Sequence, residues 1–305
     1  MSFNDNVTLD TSQVRSGGGG GGPGGMVVGG GIGGLILLVL AMVFGIDPSS
    51  IPTGGGQLDP GQVQSGGQQD PNAFSECRTG ADANRNVECR VIGTVNSVQA
   101  FWDGELSRSK YRWEQTPTVL YSGQTQSACG TASNQVGPFY CPLDKTVYID
   151  ASFFDLLTSR FGADDGALAQ EYVVAHEYGH ALQDQLGLLG RAQQDPQGAE
   201  SGAVRIELMA DCLAGVWAQH ASQVPDEDTG TPFLEPLTRQ DIDSALSAAS
   251  AVGDDRIQEA ATGRVNPESW THGSSKARQQ WFMRGFDSGD LDRCDTFAVD
   301  SVYRG

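Results

Sequence analysis

The sequence predicts an α+β fold, and two observations carry that prediction. Apolar residues recur at helical spacing over about 91–109, 166–187, 201–222, 238–252 and 274–288. Two strand-like runs, Thr118–Tyr121 and Thr146–Ile149, lie ahead of the last four of these patterns. In the first helical pattern Val91, Val95, Val98, Phe101 and Trp102 mark one apolar face. Trp217, Trp281, Phe282 and Phe286 fall at helical spacing in later patterns and are expected in the core.

The chain has 305 residues, enough for one large domain or two small ones, and no internal repeat. Its 19 Lys+Arg stand against 38 Asp+Glu, a net charge of −19 that resides mostly in residues 76–305. Such a surface excludes a nucleic-acid-coating role, which needs cations to displace counterions. Docking on anionic lipid through a basic patch is excluded in the same way.

The N-terminal quarter has a different character. Residues 1–25 include the run Gly17–Gly22 and are expected to be disordered. Met26–Ile46 carries no charge, is aliphatic over most of Ile32–Phe44, and is just long enough to cross a bilayer as a helix. Two readings compete: a cleaved signal peptide, but only Arg15 precedes the run and Leu40-Ala41-Met42-Val43 is a poor cleavage site, and a buried core helix, but both flanks are glycine-rich. Residues 47–75, rich in Gly, Pro, Gln and Ser, read as a flexible linker. The expected organisation is thus a disordered 1–25, a single transmembrane helix 26–46, a linker 47–75 and a folded domain 76–305.

All six cysteines lie beyond the apolar run, which suggests an oxidising, extracytoplasmic compartment. Six cysteines allow 15 pairings. Proximity favours Cys77–Cys89 and Cys129–Cys141, leaving Cys212–Cys294 by elimination, with six buried thiols as the alternative. No C-x-x-C spacing supports a zinc ribbon.

The chemistry concentrates in His176-Glu177-Tyr178-Gly179-His180, inside the 166–187 pattern. Two histidines four apart share one helix face, so both imidazoles can reach one zinc ion. The glutamate after the first histidine is placed to act as general base toward water. A metzincin is excluded, because Gln183 and Leu186 stand where that class needs Gly and His. The next helical pattern holds Glu207 and Asp211 four apart among Ile206, Leu208, Met209, Cys212 and Leu213. Like charges at that spacing repel unless a cation and an N–H donor meet them. Glu207 is therefore the candidate third metal ligand, and Asp211 the candidate hydrogen-bond partner of a ligand histidine. Two carboxylates facing water on an amphipathic helix are the competing reading.

H-E-x-x-H followed by E-x-x-A-D resembles the gluzincin arrangement of thermolysin-type peptidases. Fuller stretches are similar to the bacterial neutral zinc metallopeptidases of the YpfJ-like family: Gly137–Pro142, Tyr148–Asp150, His176–Gln183, Ala210–Ala218 and Thr271–Ser275. The resemblance runs from the apolar run 26–46, including Gly45-Ile46-Asp47-Pro48 after it, to the C-terminal segment; Phe74–Arg90 and the loop Pro225–Pro236 look like departures. It implies a zincin-like domain behind one membrane anchor, one Zn2+ per chain and peptidase activity. By analogy with zincins, Thr146–Asp150 is expected to be the edge strand along which a peptide substrate lies.

Two histidines remain. His220, near the end of the 201–222 pattern, is expected to cap a helix C-terminus rather than bind metal. His272, in the turn Trp270–Gly273, is either an exposed donor to a developing oxyanion or part of a helix-entry turn capped by Ser274 or Ser275. The resulting expectation is a membrane-anchored zinc metallopeptidase. It has His176, His180 and Glu207 as ligands, Glu177 as base, and Asp211 and His272 in support. Its partners are a peptide or protein substrate and a lipid bilayer at 26–46, with no nucleic acid. A zinc hydrolase of a cell-wall or other non-peptide amide, and a catalytically silent zinc-stabilised binding module, are the alternatives.

Overall fold

The computed structural model describes residues 2–17, 73–107, 109–133 and 137–304. The expected span 26–46, and the expected linker up to residue 72, lie outside them. Among the described residues no helix is long and apolar enough to cross a membrane.

Four strands form the main sheet: β1 (Val14–Gly17), β2 (Thr118–Tyr121), β5 (Phe139–Cys141) and β6 (Thr146–Asp150), while β3 (Gln124–Ser127) and β4 (Gly130–Ser133) form a separate hairpin. The sheet order is β1-β2-β6-β5, parallel between β1, β2 and β6, with β5 antiparallel to β6. Every residue of β6 is buried, as befits a strand covered on both faces. Thr146–Asp150 is therefore not the edge expected from the sequence. Phe139–Cys141 folds back as β5, pairing Phe139 with Tyr148 and Cys141 with Thr146, and takes the edge instead.

The helices are α1 (Gly80–Ala83), α2 (Val87–Leu106), α3 (Phe153–Ser159), α4 (Ala167–Gln185), α5 (Gly190–Gln194), α6 (Gly202–His220), α7 (Arg239–Ala251), α8 (Asp254–Thr262) and α9 (Ser275–Ser288). The five longest coincide with the five helical patterns. Their starts are capped as the sequence allows: Asn86 accepts from Glu88 N and Cys89 N, Ser201 from Val204 N, Thr238 from Asp241 N, and Ser274 from Ala277 N. α4 is buried at every position from Leu168 to Gln183, because α2, α6, α7 and the sheet surround it. Trp217, Trp281 and Phe282 are in the core and Phe286 is packed against it.

The N-terminal segment departs from expectation. Residues 2–17, expected to belong to a disordered tail, are part of the domain. Phe3, Val7, Leu9 and Val14 are buried in the main core, each worth roughly 1.5–3 kcal/mol. β1 completes the sheet beside β2, with Val14 opposite Thr118 and Gly17 opposite Tyr121. The glycine run obscured this, because four well-placed apolar residues in a short polar segment leave little periodicity to read.

Three disulfides, Cys77–Cys89, Cys129–Cys141 and Cys212–Cys294, leave no free cysteine. They follow the pairing favoured by proximity and elimination.

Candidate metal centre

The centre is built where α4 and α6 cross. Gly179 of α4 faces Ala210 of α6 so closely that a Cβ on the glycine would sit 3.1 Å from Ala210 Cα. Small residues at this point let the helix carrying His176 and His180 approach the helix carrying Glu207. The two imidazoles are perpendicular, with ring centroids 4.8 Å apart. Glu207 Oε2 lies 3.2 Å from His176 Nε2, and Glu207 Oε1 lies 3.5 Å from His180 Nε2. One donor atom from each of the three residues falls within 4.8 Å of the others, and all three side chains are buried. Among the described residues this is the one group of three or more His, Cys, Asp or Glu side chains so placed.

Each histidine is held by its outer nitrogen. His176 Nδ1 lies 2.8 Å from Asp211 Oδ1, and His180 Nδ1 lies 2.8 Å from Gln183 Oε1. Gln183 donates in turn to the Ile206 carbonyl at 2.7 Å, bridging α4 to α6. With Nδ1 donating, Nε2 of both rings keeps its lone pair for the centre. The Nε2 of His180 is buried and has no hydrogen-bond partner. That orphaned nitrogen, beside a second imidazole and a carboxylate, fits a zinc ion: two nitrogen ligands and one oxygen with a position left open.

Electrostatics favour a cation here. Burial works against charge on Glu207, yet the neighbouring His180, His272 and His176 side chains hold its carboxyl well below the ordinary range. Burial likewise works against charge on His176, but Asp211 and Glu207 push it up to about 9. The same carboxylates that favour a proton on this ring would favour a metal cation in its place.

Asp211 is also where α9 reaches the centre. Arg278 donates to both Asp211 oxygens, Nε to Oδ2 and Nη2 to Oδ1, each at 2.9 Å, and Tyr172 donates its hydroxyl to Oδ1. Gly215 and Gly285 permit this reach, because a Cβ on either would collide with backbone of the opposite helix, α9 or α6. Arg278 outweighs burial and keeps the Asp211 carboxyl below its ordinary range.

A cavity of about 90 Å³ opens beside the cluster. His176, Glu177, Glu207, His272 and Arg278 line one side; Pro138, Phe153, Phe161, Val173, Val252 and Ile257 make the rest largely apolar. Glu177 is buried with Oε2 unpartnered, and burial pushes its carboxyl up, against the pull of His180 and His176. His272 is not the exposed loop residue expected from the sequence: its side chain is 12% exposed. Asp254, at the start of α8, draws the turn inward. Its Oδ2 accepts the backbone N–H groups of Thr271, His272 and Gly273 at 2.8, 2.7 and 2.9 Å. Its Oδ1 lies 3.2 Å from His272 Nδ1, so Nε2 is the nitrogen left for the cavity. Ser274 caps α9, as the helix-entry reading of this turn expects.

His220 lies apart from this cluster, stacked on Phe101 with its Nε2 3.0 Å from the Gly289 carbonyl. The sequence reading missed Tyr172, Gln183, Asp254 and Arg278. Tyr172 and Gln183 stand four before His176 and three after His180, so helical spacing could have found them. Asp254 and Arg278 come from other elements and leave no local signal.

Residues 2–297 match the model of the family described as "Putative neutral zinc metallopeptidase". The chain belongs to that family. It is 53% identical to the Rv2575 protein of Mycobacterium tuberculosis over 300 residues, 98% of this chain and 99% of the relative. The Mb2605 protein of Mycobacterium bovis matches to the same extent. YpfJ of Escherichia coli K12 is 39% identical over 273 residues, 87% of this chain and 86% of YpfJ. No solved structure matches the chain. Membership in this zinc metallopeptidase family accords with a cluster of two histidines and a glutamate able to hold the metal.

Proposed function

We propose that the protein is a zinc-dependent peptidase whose active site is this cavity. The observation that carries the reading is the convergence of His176, His180 and Glu207 beside the unpartnered, buried carboxyl of Glu177. Zinc bound by the three ligands would supply Lewis acidity, polarising a peptide carbonyl and making water more acidic. Glu177 takes the proton of the attacking water and passes it to the leaving amine; burial raises its pKa, which favours its holding that proton between the two transfers. His272, tied at Nδ1, offers Nε2 to the charge developing on the carbonyl oxygen. Asp211 and Gln183 fix the ligand rings, and Arg278 keeps Asp211 ionised and oriented.

The apolar wall from Phe153 to Ile257 suits a large aliphatic or aromatic substrate side chain. Gly137 and Pro138 line the cavity just before the edge strand β5, which leaves one side of that strand for an extended peptide to pair with. The proposal includes membrane association through residues 26–46 and an extracytoplasmic catalytic domain. The uncharged run supports the first, and the pairing of all six cysteines supports the second.

Incubation of the zinc-loaded protein with a peptide library and with cell-wall fragments, each with and without chelator, tests the reading. Chelator-sensitive peptide cleavage is expected. Cleavage of cell-wall amides alone would replace the peptide with another amide, and no turnover of either would leave a zinc-stabilised binding module.

A further inference from the structure

The N-terminal segment constrains how the chain can meet a membrane. Residues 2–17 are bonded to the rest of the domain at many places. Asn4 N donates to Phe233 O and Glu235 N to Ser2 O, both at 2.9 Å. Gly80 N donates to Val7 O and Leu9 N to Arg78 O, both at 3.0 Å. Asn84 and Asn96 each pair reciprocally with the backbone, at Phe3 and at Asp10. β1 then runs beside β2 for its full length. The chain leaves this body at Gly17 and rejoins it by residue 73, and the apolar run 26–46 lies between the two points.

A single crossing by 26–46 would put residues 2–17 and 73–304 on opposite sides of about 30 Å of hydrocarbon. No backbone hydrogen bond survives that separation. Nor can a second crossing bring the chain back, because residues 47–72 contain no second apolar run of comparable length. The single-pass arrangement expected from the sequence therefore conflicts with the sheet.

We infer that residues 2–17 and 73–304 lie on the same side of the membrane, so that the chain on either side of the apolar run shares one compartment. This rests on the proposed membrane association and is independent of the peptidase reading. The N-terminus then shares the compartment of the disulfides.

The test uses the full chain in intact cells. All six native cysteines are in disulfides, so an added cysteine is the free thiol available to a maleimide. Ser12→Cys and Gln280→Cys place it at exposed positions on either side of the apolar run in sequence, outside the cavity. With a membrane-impermeant maleimide, both positions are expected to label to within about twofold of each other before permeabilisation. An epitope tag at the N-terminus, probed by antibody on the same cells, reads the same sidedness without an added thiol. Labelling of Gln280→Cys on intact cells with Ser12→Cys and the tag reached only after permeabilisation overturns the inference. So does a mature protein whose intact mass lacks the N-terminal segment. Alkaline carbonate extraction is the separate check on membrane association. Retention in the pellet that is lost on deleting 26–46 supports it, and release of the full chain to the supernatant removes the ground for the inference whatever the labelling.

Discussion

Arg278 and Asp211 are joined by two parallel hydrogen bonds of 2.9 Å in the buried space between α9 and α6. The pair links three elements, since Asp211 also holds His176 of α4. A buried carboxylate with this many donors is stable only while its cationic partner remains. Arg278→Ala is expected to destabilise the fold by about 3–5 kcal/mol, because it leaves Asp211 charged and unpaired. Metal affinity should fall about 10–100-fold as His176 loses its fixed support. Denaturant titration together with competition against a zinc-binding dye measures both.

Glu207 and Glu177 face the same cavity and should separate cleanly. Glu207→Ala removes one of the three proposed ligands, so both bound zinc and activity are expected to be lost. Glu177→Gln keeps the ligand set, retains about one zinc per chain and loses about 100- to 10,000-fold in turnover, as expected for removal of a general base. Elemental analysis beside kinetics decides; full zinc retention in Glu207→Ala would remove that residue from the ligand set.

Asp254 acts on the site through the turn that carries His272. Asp254→Ala leaves the N–H groups of residues 271–273 without their acceptor, a loss of about 1–3 kcal/mol for each that stays buried and unsatisfied. Zinc content should be unchanged while kcat falls by up to about 100- to 1,000-fold, the cost of losing an oxyanion donor. A fall in KM-dependent terms alone, with kcat intact, would assign Asp254 a purely structural part.

Glu171, on α4, gives a pH dependence separate from the metal. It is buried with neither carboxyl oxygen hydrogen-bonded, and burial pushes it up to about 7 from 4.5, against the pull of nearby positive charge that includes Arg90. A carboxyl whose pKa is higher in the folded state favours folding when protonated. Its contribution is therefore full below about 4.5 and is lost as pH rises toward 7, an effect of about 3 kcal/mol. Glu171→Gln abolishes that loss. Urea titrations should show the variant gaining on the parent by about 3 kcal/mol between pH 4 and pH 8, whereas parallel profiles would mean that the carboxyl is solvated.

The cavity wall sets the last expectation. Ile257, on α8, is buried against the apolar side of the cavity. Ile257→Asp should lower kcat/KM roughly 10- to 200-fold for peptides that place a large apolar side chain there, and much less for peptides with a small one. A library profile of parent and variant, read side by side, tests this.

Where local geometry repeats, the sequence alone was enough. The spacing of His176 with His180 and of Glu207 with Asp211 puts each pair on one helix face, because a helix returns to the same face every three to four residues. The five long helices and the strands β2 and β6 were legible for the same reason. Tertiary structure decided what depends on which faces meet. It brought Arg278 to Asp211 and Asp254 to the His272 turn, placed β5 outside β6, and drew residues 2–17 into the domain, with Val14–Gly17 in the sheet. Those pairings join residues far apart in the chain, and their energy comes from burial and hydrogen bonds made only after the elements pack, so no local pattern records them.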